Sequence, residues 1–239
     1  MHPLADLHIG DMCCDYKLIL NDLEYIKNTP NCYCVLDGDL MDTAIASSIG
    51  DTYSSTHNPM EQLQECVNLF APIKDKIIAV VGGNHENRIY RSDGIDITQL
   101  MCNQLGISDR YSPTTTLVFL RFGEDRKHRK VCYSLYMTHG SGGGRKEGGK
   151  INRLADLAGI VDADIYLMAH THQPAAFRNT FYRCDPQNSS AQLVEHLFIN
   201  TAAWLRHGGY GDKQGYKPAS TINPTIILDG HKKRASATI

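Results

Sequence analysis

The sequence predicts an α/β fold built in layers, and three observations carry that reading. Short unbroken apolar runs recur along the chain, with the length of strands covered on both faces. Segments with apolar residues at helical spacing lie between these runs in the first half. Most of the runs stop abruptly in glycine-rich or polar turns. The 239 residues are 42% hydrophobic and 21% charged, with a formal net charge of -2. This excludes a disordered chain and a chain-wide basic coat for nucleic acid. No linker or internal repeat divides the sequence, so residues 1–239 read as a single domain.

Taken in order, only five residues precede the first polar cluster, and the expectation is a first strand that is very short or partly replaced. Tyr16 to Lys27 carries Leu18, Ile19, Leu23 and Ile26 on one helical face. Cys34-Val35-Leu36 is a strand running into Asp37-Gly38-Asp39. Ile45 to Pro59 is rich in Ser and Thr, and reads as a lid or an ordinary long connection. Met60 to Phe70 is helical, with Leu63, Cys66, Val67 and Phe70 inward, and Ile77 to Val81 is a strand. Ile95 to Leu105 and Lys150 to Ile160 are further helices. Thr115 to Phe122 and Val131 to Met137 flank a basic tip as an antiparallel hairpin. Asp164 to Met168 is another strand, and Ala175 to Arg183, Val194 to Asn200 and Thr225 to Asp229 supply a C-terminal group.

No apolar stretch approaches the roughly 18 residues of a membrane helix, and the N-terminus lacks a signal-peptide pattern. A cytoplasmic setting follows as the expectation, with no membrane partner. The eight cysteines form no C-x-x-C pair and read as reduced, mostly buried thiols.

The chemistry concentrates where the apolar runs end. The clusters, in order, are Asp6-Leu7-His8, Gly38-Asp39 followed by Asp42, Gly83-Asn84-His85-Glu86, His139-Gly140, and His170-Thr171-His172. In open α/β sheets, ligands bind beyond the carboxyl ends of strands, where such loops converge. Two side chains at spacing two on an extended chain project to one side, so D-x-H and H-x-H can each present a pair to one metal. Each cluster alone is weak, and a lone G-D is usually a turn. The ordered set of five is much more specific.

That set resembles the calcineurin-like metallophosphoesterase superfamily in block order from Asp6 to His172. The resemblance implies a four-layer β-sandwich flanked by helices, with two metals at the strand ends. Carried over by position, Asp6, His8 and His172 hold one metal. Asn84, His139 and His170 hold the other, and Asp39 bridges both. It also implies that His85 assists the leaving group while a metal-activated hydroxide attacks phosphorus. Asp42 or Glu86 would orient His85. Imidazole and carboxylate donors suit two divalent ions, with manganese first and iron, zinc or nickel also compatible. Thr43 departs from the Ser/Thr phosphatase branch, which places an arginine after this aspartate.

The substrate is less legible. Arg88 follows the third block, and Arg145 and Lys146 follow the glycine-rich loop after His139, so all three are candidates for substrate binding. Lys150 and Arg153 are further cations near that loop, and the tip Arg126 to Lys130 could touch a phosphate backbone. These residues lean toward a phosphodiesterase or nuclease, with nucleic acid or a nucleotide as partner. A phosphomonoesterase or small-molecule nucleotide hydrolase is the alternative, and a non-catalytic scaffold is the third. Trp204 could stack a base, although packing explains it more simply.

Overall fold

The computed structural model describes residues 1–46, 48, 52–123, 131–144 and 146–239. One sheet holds four parallel strands in the order β1 (His2–Leu4), β2 (Cys34–Asp37), β3 (Ile77–Val81) and β4 (Tyr111–Ser112). The other runs β5 (Thr115–Arg121), β6 (Cys132–Thr138), β7 (Ile165–Met168), β9 (Ser190–Asn200), β8 (Ala175–Asp185). In it β6, β7 and β9 are parallel, and the outer strands β5 and β8 are antiparallel to their neighbours. A separate antiparallel ribbon joins β10 (Thr225–Leu228) to β11 (Ala235–Thr238).

The two sheets face one another. Val35, Ala79 and Val81 of the first pack on Leu135, Met137, Ile165, Leu167 and Ile199 of the second. Alternation then sends the neighbouring side chains outward. Cys34, Leu36, Ile77 and Val80 meet α1 (Tyr16–Asn28), α2 (Pro59–Phe70) and α4 (Ile97–Leu105). Tyr136, Tyr166, Met168 and Phe198 meet Leu154 and Leu157, at the end of α5 (Glu147–Asp156) and just beyond it. The result is the expected four layers, helix on sheet on sheet on helix.

Local chemistry explains the helix starts. The Asp15 side chain accepts from the Leu18 amide at 3.1 Å and begins α1. Asn58 and Glu61 form a reciprocal capping box ahead of α2, with Pro59 in its first turn. The sequence expectation placed α5 three residues late. The helix begins at Glu147 and gives way to a 3-10 turn at Leu157–Gly159. Helix α3 (Asn87–Asp93) has no periodic apolar stripe to mark it, because Ile89 is its one buried residue. Strand β4 has two residues, and β11 is Ala-Ser-Ala-Thr, so neither carries an apolar run. Trp204 is fully buried in the helix-side core, and its Nε1 donates to Asp22 at 2.9 Å. It is a packing residue and has no face free to stack a base.

All eight cysteines are free thiols, five of them buried. Among the described residues no helix is long and apolar enough to cross a membrane. The basic tip Arg126 to Lys130, Arg145, and parts of the Ile45 to Pro59 segment lie outside the described residues.

Candidate metal centre

Strands β1, β2 and β3 run parallel, as do β6, β7 and β9, so the loops after them open at their carboxyl ends. Five polar clusters meet there. Asp6, His8 and His172 bring one donor atom each within 4.8 Å of one another, and so do Asp39, His139 and His170. Asp39 also shares such a group with His8 and His85, which places it between the two.

The spacing-two pairs do not converge in the way the sequence suggests. Strand β1 ends at Leu4, before its cluster. Asp6 and His8 have φ of 52° and 48°, Asp39 has 49°, and His170 and His172 have 67° and 52°. Five of the eight non-glycine residues with left-handed backbone among the described residues belong to the ligand set that the sequence predicts. Such conformations cost on the order of 1–3 kcal/mol each and gather where a site needs them. The side chains converge because the backbone turns at each donor, and not because an extended strand presents alternate residues.

Two glycines let the blocks approach. A Cβ on Gly38 would lie 2.6 Å from the Gly83 Cα and 2.7 Å from His139 Nδ1. A Cβ on Gly83 would lie 2.1 Å from the Asp39 amide nitrogen and 2.3 Å from its Oδ1.

The donors fit a cation. Asp6 Oδ1 is buried without a hydrogen-bond partner, yet His172 Nε2 stands 3.2 Å from it. His8 Nε2 is 4.0 Å from the same oxygen and 3.4 Å from His172 Nε2. His139 donates from Nδ1 to the Asp37 carbonyl at 2.6 Å, which turns Nε2 toward the centre. That nitrogen lies 3.1 Å from Asn84 Oδ1 and 3.1 Å from Asp39 Oδ2, both acceptors. Carboxylate and amide oxygens converge there with imidazole nitrogens, a donor set that suits a divalent ion. Burial alone would raise the Asp39 carboxyl, but the imidazoles of His139 and His85 outweigh it and hold Asp39 well below the usual range. Burial lowers His8 and His170, favouring the neutral ring that can ligate. Asp37 is different: burial pushes its carboxyl up to about 8.

His85 sits beside the centre, its Nε2 3.8 Å from Asp39 Oδ2. Its Nδ1 faces two acceptors of Asp42, the carbonyl at 2.9 Å and Oδ1 at 3.1 Å, and therefore carries a proton. Asp42 thus orients the ring. Glu86 does not. Its carboxylate accepts from the Asp39 amide at 3.1 Å and the Met41 amide at 2.9 Å, deep under the loop. Its assignment beside Asp42 as a partner of His85 is corrected on that ground: both oxygens are committed to holding the bridging block.

Arg88 reaches further in than a mouth residue would. Its Nη1 donates to the Asp42 carbonyl at 3.1 Å and its Nη2 lies 2.8 Å from His85 Nε2. Burial works against charging that ring, Asp39 and Asp42 favour it and prevail, and the adjacent guanidinium opposes them. Lys146 is exposed at the start of α5. Lys150 donates to the Thr171 carbonyl at 2.8 Å, and Arg153 to the Ser141 and Gly143 carbonyls at 2.8 and 3.0 Å. These two half-buried cations hold loops in place.

Several supporting residues gave no sign of their bracing role in the sequence. Thr43, at φ 42°, donates from Oγ1 to the His85 carbonyl at 2.5 Å. Its amide donates at 2.8 Å to Gln62, a fully buried side chain on α2. Asn200 donates to Thr171 Oγ1 at 2.7 Å and to the Gln173 carbonyl at 2.6 Å, bracing the last ligand loop. A lone Gln in a helix stripe or an Asn at a strand end carries no pattern that would single it out.

The profile of the calcineurin-like phosphoesterase family matches residues 6–174. That is more than half of the chain, and the protein belongs to this family of phosphoester hydrolases. No curated protein matches it significantly. Among solved structures, a Vps29 mutant from Entamoeba histolytica is 10% identical, with TM-score 0.48, covering 99% of this chain and 97% of its own. A conserved uncharacterized protein from Streptococcus pneumoniae TIGR4, described as a predicted phosphoesterase, is 15% identical, with TM-score 0.39 and coverage of 99% and 86%. The Pseudomonas putida nuclease MPE is 12% identical, with TM-score 0.39 and the same coverage.

Proposed function

We propose that this chain is a dinuclear metal-dependent hydrolase of phosphodiesters, nucleic acid among them. The observation that carries the reading is the convergence of seven carboxylate, amide and imidazole side chains from five strand ends on one partly open centre. Asp6, His8 and His172 would hold one ion, Asn84, His139 and His170 the other, and Asp39 both, with manganese first. Two such ions supply charge against the phosphoryl oxygens and lower the pKa of water. The chain's own contribution is positional. Asp42 aims His85 at the leaving-group side, Glu86 holds the bridging loop, and Thr43 fixes the turn that carries His85. Asn84 is exposed and the His172 side chain is 31% exposed, so one edge of the centre opens to solvent. An open edge admits a polymer more readily than a closed pocket does. The whole chain acts as one domain in this reading.

The test is turnover of bis-p-nitrophenyl phosphate against p-nitrophenyl phosphate with added manganese. Preference for the diester supports the proposal, and preference for the monoester replaces it with the small-molecule reading. Asp39→Asn should lose both metals and nearly all activity. His85→Ala should keep its metal and lose roughly 10²–10⁴-fold in turnover. Binding to DNA should weaken steeply with salt; salt-insensitive or absent binding would remove nucleic acid as substrate.

A further inference from the structure

Arg88 deepens the hydrolase reading and rests on it. The side chain comes from the first turn of α3, three residues after His85, and buried Ile89 anchors that turn. The guanidinium is held at two points. Nη1 donates to the Asp42 carbonyl at 3.1 Å, and Nη2 donates to His85 Nε2 at 2.8 Å. Guanidinium has donors and no acceptor, so Nε2 offers it a lone pair. Nε2 is also the ring nitrogen that faces the centre, 3.8 Å from Asp39 Oδ2.

A ring nitrogen accommodates one hydrogen-bond partner in its plane. A substrate oxygen only accepts, so it bonds His85 Nε2 when that nitrogen carries a proton, which also ends the bond from Arg88 Nη2; the oxygen then arrives within hydrogen-bond reach of that same Nη2. The guanidinium need not leave, because Nη1 remains tied to the Asp42 carbonyl. Two anchors on one planar fork make this an exchange of one bond with the other kept. A lysine, with a single nitrogen, cannot do this.

We propose that Arg88 is a catalytic residue whose Nη2 passes from His85 Nε2 to an oxygen of the scissile phosphoester when substrate binds. Its role is charge. Water adds across the P–O bond: a new P–O bond forms from water, the leaving P–O bond breaks, and the leaving oxygen ends with one of water's protons. Arg88 keeps all of its own and meets the negative charge that develops on the oxygen.

The test compares Arg88→Ala and Arg88→Lys with the full wild-type chain, loaded with manganese, on bis-p-nitrophenyl phosphate. Metal content is measured in each, as is calorimetric binding of inorganic phosphate. Arg88→Ala should lose about 10²–10³-fold in kcat/KM with metal content unchanged and phosphate bound more weakly. Added guanidinium chloride at millimolar concentration should restore part of the loss in Arg88→Ala and none in Arg88→Lys. Unchanged turnover overturns the proposal. So does a loss without rescue and with unchanged phosphate affinity, which would make Arg88 a residue that only positions His85. Loss of metal in Arg88→Ala overturns it too. A wild-type protein inert on both nitrophenyl esters overturns the hydrolase reading itself. Phosphate affinity then decides the Arg88 contact: weaker binding in the variant supports it, and equal binding sinks it.

Discussion

Replacing Glu86 separates two roles that the sequence alone leaves indistinguishable. Next to His85 in the chain, Glu86 reads as a catalytic carboxylate. In the structure it is 3% exposed, and its two oxygens accept from the amides of Asp39 and Met41 at 3.1 and 2.9 Å. Glu86→Ala leaves two buried amides without an acceptor. Hydrogen bonds to a charged group are worth about 1.5–3 kcal/mol each, so the pair amounts to about 3–6 kcal/mol. The lower end applies, because burial and the neighbouring Asp39 charge raise the Glu86 carboxyl and part of its desolvation cost disappears with it. About 3 kcal/mol corresponds to a fall in Tm of roughly 6–12 °C for a chain of this size. Glu86→Gln keeps one acceptor and should lose about half as much. Thermal melts followed by circular dichroism, with metal content measured alongside, make the comparison. Both variants should melt early, and Glu86→Ala should bind metal poorly because the Asp39 loop has lost its brace. A Glu86→Ala protein that melts like wild type, keeps its metal and has lost turnover would refute the reasoning and return Glu86 to the chemistry.

Three other perturbations test the scaffold. Gly83→Ala puts a Cβ 2.1 Å from the Asp39 backbone nitrogen, which cannot yield as a side-chain end could; destabilisation of about 1–3 kcal/mol with lost metal affinity is expected in urea unfolding and metal analysis. Trp204→Ala should cost about 3–5 kcal/mol through the cavity it leaves and the loss of the Asp22 contact, with Trp204→Phe costing less by the same measurement. Asp164 supplies a pH dependence: burial alone would raise its carboxyl, but Lys233 and the Ser134 amide and hydroxyl, all within 3.0 Å, outweigh that and lower it. Its stabilisation is therefore present above the unfolded-chain pKa of about 4 and is lost as pH falls through the lower folded value. Asp164→Asn should flatten this acid arm in a plot of stability against pH, and an unchanged arm would show that the group contributes nothing there.

Much of the site is legible in the sequence because ligation demands particular side chains. Asp, Asn and His at the ends of apolar runs are few, and their order along the chain is informative before any coordinates. The strands that bring them together are legible for a similar reason: Ile77 to Val81 and Ile165 to Met168 are buried on both faces and so are apolar throughout. Helix α3 and strands β4 and β11 are not, because they bury too little to need a pattern.

The residues that hold the donors in place escape a sequence reading. Gln62, Thr43 and Asn200 act by hydrogen bonds to backbone groups far away in the chain, and such bonds impose no spacing. Glu86 and Arg88 show the same point from opposite sides. Both lie within three residues of His85, yet the chain turns one under the Asp39 loop and the other onto the His85 ring. By itself the sequence determined the kinds of donors, their order and the α/β layering, since composition and periodicity are local properties. Only the tertiary structure decided which carboxylate meets His85, which cation reaches its ring, and that left-handed turns aim the candidate ligands. Those outcomes depend on contacts between segments that share no local pattern, and folding alone brings them together.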